Sequence, residues 1–102
     1  MKATFVKNIE GWTGDAKLYH LDPPMVEKSY DEEELDKRYE YVVVSATVAM
    51  FSGSETYVFG ADKDGKVEDW RKLDGSYRGG LSHEAALRGA GYEVHSPKEA
   101  AV

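Results

Sequence analysis

The pattern in this sequence that most resembles a metal site is Asp62-Lys63-Asp64-Gly65, where two carboxylates alternate ahead of a glycine. An EF-hand loop places its glycine at the sixth position and a bidentate glutamate at the twelfth. Counted from Asp62, Gly65 is fourth and Leu73 is twelfth. This spacing excludes an EF-hand and favours a hairpin turn in which Gly65 takes a positive φ. We predict no metal site and no cofactor.

Three histidines, His20, His83 and His95, are the candidates for acid–base chemistry. His83-Glu84 begins like a zinc-protease motif, but Leu87 stands where the second histidine belongs. None of the serines we considered lies in a Gly-x-Ser-x-Gly elbow, namely Ser52, Ser54, Ser76 and Ser82. We predict no catalytic residue and favour a protein that is not an enzyme. A small hydrolase or transferase using a histidine–carboxylate pair is the alternative.

Aromatic and acidic residues are the candidates for binding. Trp12 and Tyr77 lie in glycine-rich turns, where they serve either as interface anchors or as caps on the core. Trp70 ends an expected strand, so we expect it in the core. The carboxylates Glu32, Glu33 and Glu34 form the centre of an acidic segment. We predict Trp12, Tyr77 and these three glutamates as binding residues.

Size and charge limit the class of protein. A chain of 102 residues predicts one domain, 1–102. The net charge of −6 argues against nucleic acid as a partner, because phosphate binding needs a basic patch. There is no cysteine for disulfides or thiolate chemistry. Neither a signal peptide nor an apolar run of the ~20 residues that span a membrane is apparent, so we expect a cytoplasmic protein.

The first half of the chain predicts a hairpin followed by a loop. Apolar and polar residues alternate over residues 2–9 and again over 16–21, which is typical of strands. The run Asp22-Pro23-Pro24 is expected to end the second strand, since proline cannot donate to a ladder. Residues 25–37 are crowded with carboxylates and have little to bury, which predicts an acidic mobile loop.

The second half predicts a meander and a helix. Residues 41–51 alternate, with one wholly apolar face expected for a central strand: Val42, Val44, Ala46, Val48 and Met50. Ser82 is expected to cap a helix that ends at a left-handed Gly91, with Glu84 and Arg88 matching the dipole. Residues 97–102 are expected to form a frayed tail. The predicted fold is α+β, an antiparallel sheet of five or six strands with one C-terminal helix packed on one face.

A resemblance accompanies these patterns. The residues that carry it span most of the chain: Glu10-Gly11-Trp12-Thr13-Gly14, Asp22-Pro23-Pro24, Val42-Val43-Val44-Ser45-Ala46, Ala49-Met50-Phe51-Ser52-Gly53, Glu55-Thr56-Tyr57-Val58-Phe59, Asp74-Gly75-Ser76-Tyr77 and Ala86-Leu87-Arg88-Gly89-Ala90-Gly91-Tyr92. Through these residues the chain shows a resemblance to a group of short uncharacterised proteins of actinobacteria and their phages. It implies expression inside a bacterial cell from a phage or prophage, and it assigns no site residue.

Together these observations favour a non-enzymatic protein–protein interaction module that acts on a bacterial host protein. A homodimeric structural protein, paired through a sheet edge or the mixed face of the central strand, is a further alternative.

Overall fold

A computed structural model of the protein describes residues 1–12, 14–27, 37–49, 53–70, 72–73 and 75–95. In chain order, its elements are β1 (Lys2–Ile9), β2 (Asp15–Glu27), β3 (Lys37–Ala49), β4 (Gly53–Ala61), β5 (Val67–Asp69), β6 (Tyr77–Arg78), α1 (His83–Gly89) and β7 (Glu93–His95). The strands form one sheet in the order β5-β4-β3-β2-β1-β7, and β6 also pairs with β4.

The predicted α+β fold is confirmed. The sheet is largely an antiparallel meander of seven strands rather than five or six, and α1 packs against it. The strand that sequence alternation missed is the two-residue β6, and the parallel pairing of β7 with β1 was likewise not predicted. No helix in the described ranges is long and apolar enough to cross a membrane.

The central strand β3 forms for the reason that its alternation predicts. It pairs antiparallel with β2 on one side and β4 on the other, so its side chains can only alternate between the two faces of the sheet. Val42 and Val44 are buried on the face that α1 covers, and Val43 is buried on the opposite face. The expectation that Val48 is also buried is wrong: Val48 is 68% exposed and lies opposite Ser54, near the end of the β3–β4 pairing.

The second strand does not end at residues 22–24 as predicted, and β2 continues to Glu27. Its pairing with β3 shifts between His20 and Met25 and then resumes with Met25 opposite Tyr39. The two prolines lie exposed in this irregularity, where the ladder needs no amide donor from them. Residues 25–27 and 37 of the expected acidic loop therefore belong to strands. Residues 28–36 and the expected tail, 97–102, lie outside the described residues.

The helix has the two ends that its sequence predicts. The Ser82 hydroxyl accepts a hydrogen bond from the Ala85 amide at 3.1 Å, which caps the first turn. At the other end Gly91 has φ +94°, and its amide donates to the Arg88 carbonyl while the Tyr92 amide donates to the Leu87 carbonyl. These two bonds form a Schellman motif that satisfies the last carbonyls of the helix. A seven-residue helix is too short to be stable alone, so it depends on packing against the sheet.

Two clusters of apolar residues lie on the two faces of the sheet. The larger cluster lies under α1 and contains Ala3, Tyr19, Leu21, Met25, Tyr39, Val42, Val44, Val58, Leu73, Ala86, Leu87 and Tyr92. The smaller cluster, on the opposite face, contains Ala16, Leu18, Val43 and Ala61, with Ile9, Trp12, Tyr41 and Val67 partly buried beside it. Among the described elements, the helix covers only the first face. The second face is therefore where side chains remain available for contact.

Candidate functional site

The second face of the sheet carries an open groove of about 210 Å³, which we call the aromatic groove. It is lined by Trp12, Gly14, Ser45, Thr47, Tyr57, Phe59 and Trp70. Four of these seven residues are aromatic and the other three are small. The large rings therefore form the walls of the groove, and the small residues form its floor.

The pairing of β3 with β4 places the central part of the groove. Ser45 lies opposite Tyr57, and Thr47 lies opposite Glu55. Since alternate residues of a strand share a face, Ser45 and Thr47 of β3 lie on the same face as Tyr57 and Phe59 of β4. This is the mixed face of β3 that the alternation predicted, with hydroxyls where the other face has valines.

Gly14 allows the β1–β2 turn to lie against this floor. A Cβ at residue 14 would overlap the Ala46 carbonyl and would lie 2.6 Å from the Thr47 Cβ. The turn can approach β3 this closely only because residue 14 has no side chain. This approach brings Trp12, two residues earlier, to the edge of the groove.

The aromatic rings contact one another as a continuous wall. The Trp12 ring centroid lies 5.8 Å from that of Phe59 and 5.4 Å from that of Trp70, and Phe59 and Trp70 are also 5.4 Å apart. Tyr57 extends the wall, with its ring 6.3 Å from Phe59. These separations fall in the range of favourable aromatic pairs. Because the rings touch, they present a surface to a ligand rather than a cage around one.

Trp70 is the most exposed member of the wall. Its residue surface is 66% exposed, so the expectation that it lies in the core is wrong. The physical reason is the position of β5, a three-residue strand at the edge of the sheet. Trp70 follows this strand and packs against Trp12 and Phe59 on one side, while its other side faces solvent.

Two cationic side chains border the Tyr57 end of the groove. The Lys72 ammonium lies 4.2 Å from the centre of the Tyr57 ring, a cation–π distance. Arg78 Nε lies 3.8 Å from Oε1 of the buried Glu55. The pKa of Arg78 is raised by its hydrogen bond with the Tyr57 side chain and by the nearby charge of Glu55, so this guanidinium stays charged. The groove therefore has an aromatic end at Trp12 and Trp70 and a cationic end at Tyr57.

Trp12 and Tyr77, the two predicted aromatic binding residues, lie on opposite faces of the sheet. Trp12 lies in the groove. Tyr77 packs against the larger cluster under the helix, on the other face of the sheet, and its ring lies against Gly80. Glu32, Glu33 and Glu34 lie outside the described residues. Sequence reasoning did not assign Tyr57, Phe59 and Trp70 to a site, although the shared side of Tyr57 and Phe59 was readable from the alternation in β4.

The three histidines lie apart from the groove. His20 Nε2 is 2.9 Å from Glu40 Oε1, and both side chains are exposed. His83 Nε2 lies 2.7 Å from the Asp15 carbonyl oxygen, a contact that joins the start of the helix to the start of β2. His95 Nε2 is 3.7 Å from Glu93 Oε1. None of the described residues that line the aromatic groove is a histidine or a carboxylate.

The Asp62 turn has the structure that its sequence predicts. Asp62 Oδ1 accepts hydrogen bonds from the amides of Asp64 and Lys66, each at 2.9 Å, and Gly65 has φ +89°. These amide bonds, led by the one from Lys66, lower the pKa of the Asp62 carboxyl. Asp62 is thus engaged in forming the turn. Over the ranges that the structure describes, no three histidine, aspartate or glutamate side chains are grouped to hold a metal ion.

No family model, curated protein or solved structure matches the chain. The geometry of the groove is therefore the basis for inferring what the protein does.

Proposed function

We propose that the protein is a non-enzymatic interaction module that binds another protein through the aromatic groove. The observation that carries the proposal is the exposed Trp70 ring, held against Trp12 and Phe59 beside an open groove. Tryptophan and tyrosine are the residues most enriched at binding hot spots, since they offer large rigid surfaces at low entropic cost. Trp12 and Tyr57 are partly exposed and Phe59 is buried, so Trp70 is the member of the wall most open to a partner.

The dimensions of the groove favour a side chain of a partner protein over a free small molecule. Pockets for drug-sized ligands have volumes of roughly 300–1,000 Å³ and enclose most of the ligand. At about 210 Å³ and open to solvent, the aromatic groove accommodates one or two compact side chains. Its lining residues supply aromatic surface and two hydroxyls, Ser45 and Thr47, which suit packing and orientation rather than acid–base chemistry.

The resemblance to proteins of actinobacteria and their phages supplies the setting of the proposal. On the basis of this resemblance we propose that the protein acts in the cytoplasm of a bacterial host cell and that its partner is a host protein. No membrane or nucleic acid is required by this function.

Affinity purification from an actinobacterial lysate tests the proposal. The bait is the wild-type protein, Trp70→Ala, or the matched control Leu81→Ala, which removes an exposed apolar side chain outside the groove. We expect a host protein that is retained by the wild type and by the control and is lost with Trp70→Ala. Calorimetry with the purified partner should then give a Kd raised at least about tenfold by Trp70→Ala.

Recovery of the same proteins by all three baits would contradict the proposal. So would a wild-type bait that returns only itself at several salt concentrations.

Two alternatives are distinguished by separate measurements. The His20–Glu40 pair, at 2.9 Å, is the contact that a hydrolase or transferase would use, and Glu40→Gln would then abolish turnover in a screen of ester and phosphoester substrates. A homodimer formed through the groove would give a mass in light scattering that falls to the monomer value in Trp70→Ala.

A further inference from the structure

We infer that the ligand of the aromatic groove is an extended, proline-containing segment of the partner protein that carries carboxylates beside its prolines. This inference rests on the proposed function and specifies the chemistry of the partner. It follows from the backbone pairing beneath the groove, the spacing of the rings and the charges at the Tyr57 end.

The backbone beneath the groove rules out recognition by strand addition. Ser45 pairs with Tyr57 and Val43 pairs with Phe59, and β3 pairs with β2 along its other edge. The other edge of β4 pairs with β5 and β6, and between them Val58 bonds to Leu73 and Ser76. The backbone beneath the groove is therefore already paired within the fold. A peptide that adds a strand needs an unpaired sheet edge, and the groove lies on a face. The ligand must therefore be recognised through its side chains.

The size of the groove also argues against a helical ligand. A helix docks by inserting several large apolar side chains, spaced over two turns, into a long cleft. A groove of about 210 Å³ does not hold such a set. A ligand that presents small, flat, apolar groups to an aromatic surface fits it better.

A polyproline II segment presents such groups. It has three residues per turn, so residues i and i+3 face the same side about 9 Å apart, and its backbone stays solvated without internal hydrogen bonds. The wall of the groove runs from Trp70 to Phe59 in a step of 5.4 Å and on to Tyr57 in a step of 6.3 Å. One proline ring can lie against Trp70 and Trp12 and the next against Tyr57. Aromatic-lined grooves recognise proline-rich segments in this way.

Charge complementarity specifies the residues beside the prolines. The chain as a whole has a net charge of −6, yet Lys72 and Arg78 lie at the Tyr57 end of the groove. Glu55 offsets part of the Arg78 charge, whereas the Lys72 ammonium lies over the Tyr57 ring. A ligand that passes Tyr57 therefore meets a local positive potential, which favours carboxylates over basic side chains.

Single-stranded nucleic acid is the other ligand class that stacks on aromatic side chains. It requires a basic channel along its phosphates, because each nucleotide carries a negative charge. Two cations at one end of a groove, on a chain of net charge −6, do not supply such a channel. The peptide is favoured for this reason, and the oligonucleotide becomes an outcome of the test.

The test measures fluorescence polarisation of a labelled synthetic peptide with prolines at i and i+3 and glutamates on both sides. Its matched peptides replace both prolines by alanine, or all glutamates by lysine, and a labelled oligothymidylate is the nucleic-acid probe. The proteins are the wild type, Trp70→Ala, Lys72→Glu and the control Leu81→Ala. Urea unfolding of each variant establishes that the exposed substitutions leave the protein folded.

We expect the proline–glutamate peptide to bind more tightly than either matched peptide and than the oligonucleotide. Trp70→Ala should weaken this binding at least about tenfold, and Leu81→Ala should leave it unchanged. Lys72→Glu should weaken it about twofold to fivefold, as expected for an exposed charge contact, and added salt should reduce that difference.

The inference is overturned if the alanine peptide binds as well as the proline peptide, if the lysine peptide binds better, or if the oligonucleotide is preferred. A host protein that is captured through Trp70 while no proline peptide binds would overturn the inference and leave the proposed function standing. If no host protein is captured through Trp70 and no proline peptide binds, both the inference and the proposed function are overturned.

Discussion

Thr56→Val is predicted to destabilise the protein through two hydrogen bonds. Thr56 is fully buried, and its hydroxyl donates to the Gly80 carbonyl at 2.8 Å and accepts from the Ser82 amide at 3.2 Å. These bonds fix the segment that leads from β6 into the helix onto β4. Valine has nearly the shape of threonine but leaves both partners without the hydroxyl.

The expected loss follows from the two bonds. Each is worth about 1 kcal/mol net, and a donor or acceptor left unsatisfied away from water costs about 1–3 kcal/mol. Gly80 and Ser82 are half-buried, so we expect Thr56→Val to lower the free energy of unfolding by about 2–4 kcal/mol. Thr56→Ser is the matched control, since it keeps the hydroxyl and removes one buried methyl, at a cost of about 1 kcal/mol.

Urea unfolding followed by circular dichroism measures both variants. If the two hydrogen bonds stabilise the fold, Thr56→Val has a lower free energy of unfolding than Thr56→Ser, although valine is the more apolar side chain at a fully buried site. If only apolar burial mattered, Thr56→Ser would be the less stable variant. Equal stability of Thr56→Val and the wild type, or a larger loss with serine, would refute the reasoning.

Three further substitutions test the turns and caps. Ser82→Ala should lower the free energy of unfolding by about 1 kcal/mol in urea, because it removes the helix cap, and Ser82→Asp should restore most of it. Gly91→Ala should cost about 1–2 kcal/mol, measured by thermal unfolding, because φ is +94° there; an unchanged Tm would contradict this. Asp62→Asn tests a pH dependence. The pKa of Asp62 is lowered in the folded protein, so its charge stabilises the fold at pH values above its ordinary pKa of 3.8. This stabilisation is lost as the pH falls through the folded pKa. The wild type should therefore exceed Asp62→Asn in stability at neutral pH and match it in acid, and a gap that persists in acid would exclude the charge as its source.

Features encoded by neighbouring residues were predictable from the sequence. Each of these features depends on a few adjacent positions. They are the two caps of the helix, at Ser82 and Gly91, the turn at Asp62, and the alternation around Val43. Their physical determinants, a capping hydroxyl, a glycine at positive φ and a two-residue period, act over one or two turns of chain. This is why the overall α+β arrangement could be read from the sequence.

Features that depend on distant residues were not predictable in the same way. The proline pair looked like a strand end, but β3 pairs again with Met25 beyond it, and only the partner strand reveals that. Trp70 looked like a core residue, but its exposure depends on β5 being the edge of the sheet. The aromatic groove joins Trp12 and Trp70 from opposite halves of the chain, so local reasoning that identified one of them could not supply the other.

The parallel pairing of β1 with β7 sets the order in which the protein can assemble during synthesis. Lys2 pairs with Glu93, and the Glu93 amide donates to the Met1 carbonyl, so this edge of β1 stays unpaired until β7 has been made. The β3–β4 hairpin can form as soon as its own residues emerge from the ribosome, since it closes only a short loop. Until the C-terminal residues follow, the edge of β1 has no partner and Leu87 is not yet present to cover the valines of β3. The nascent chain thus exposes a strand edge and an apolar face, and translation of the helix and β7 protects both at once.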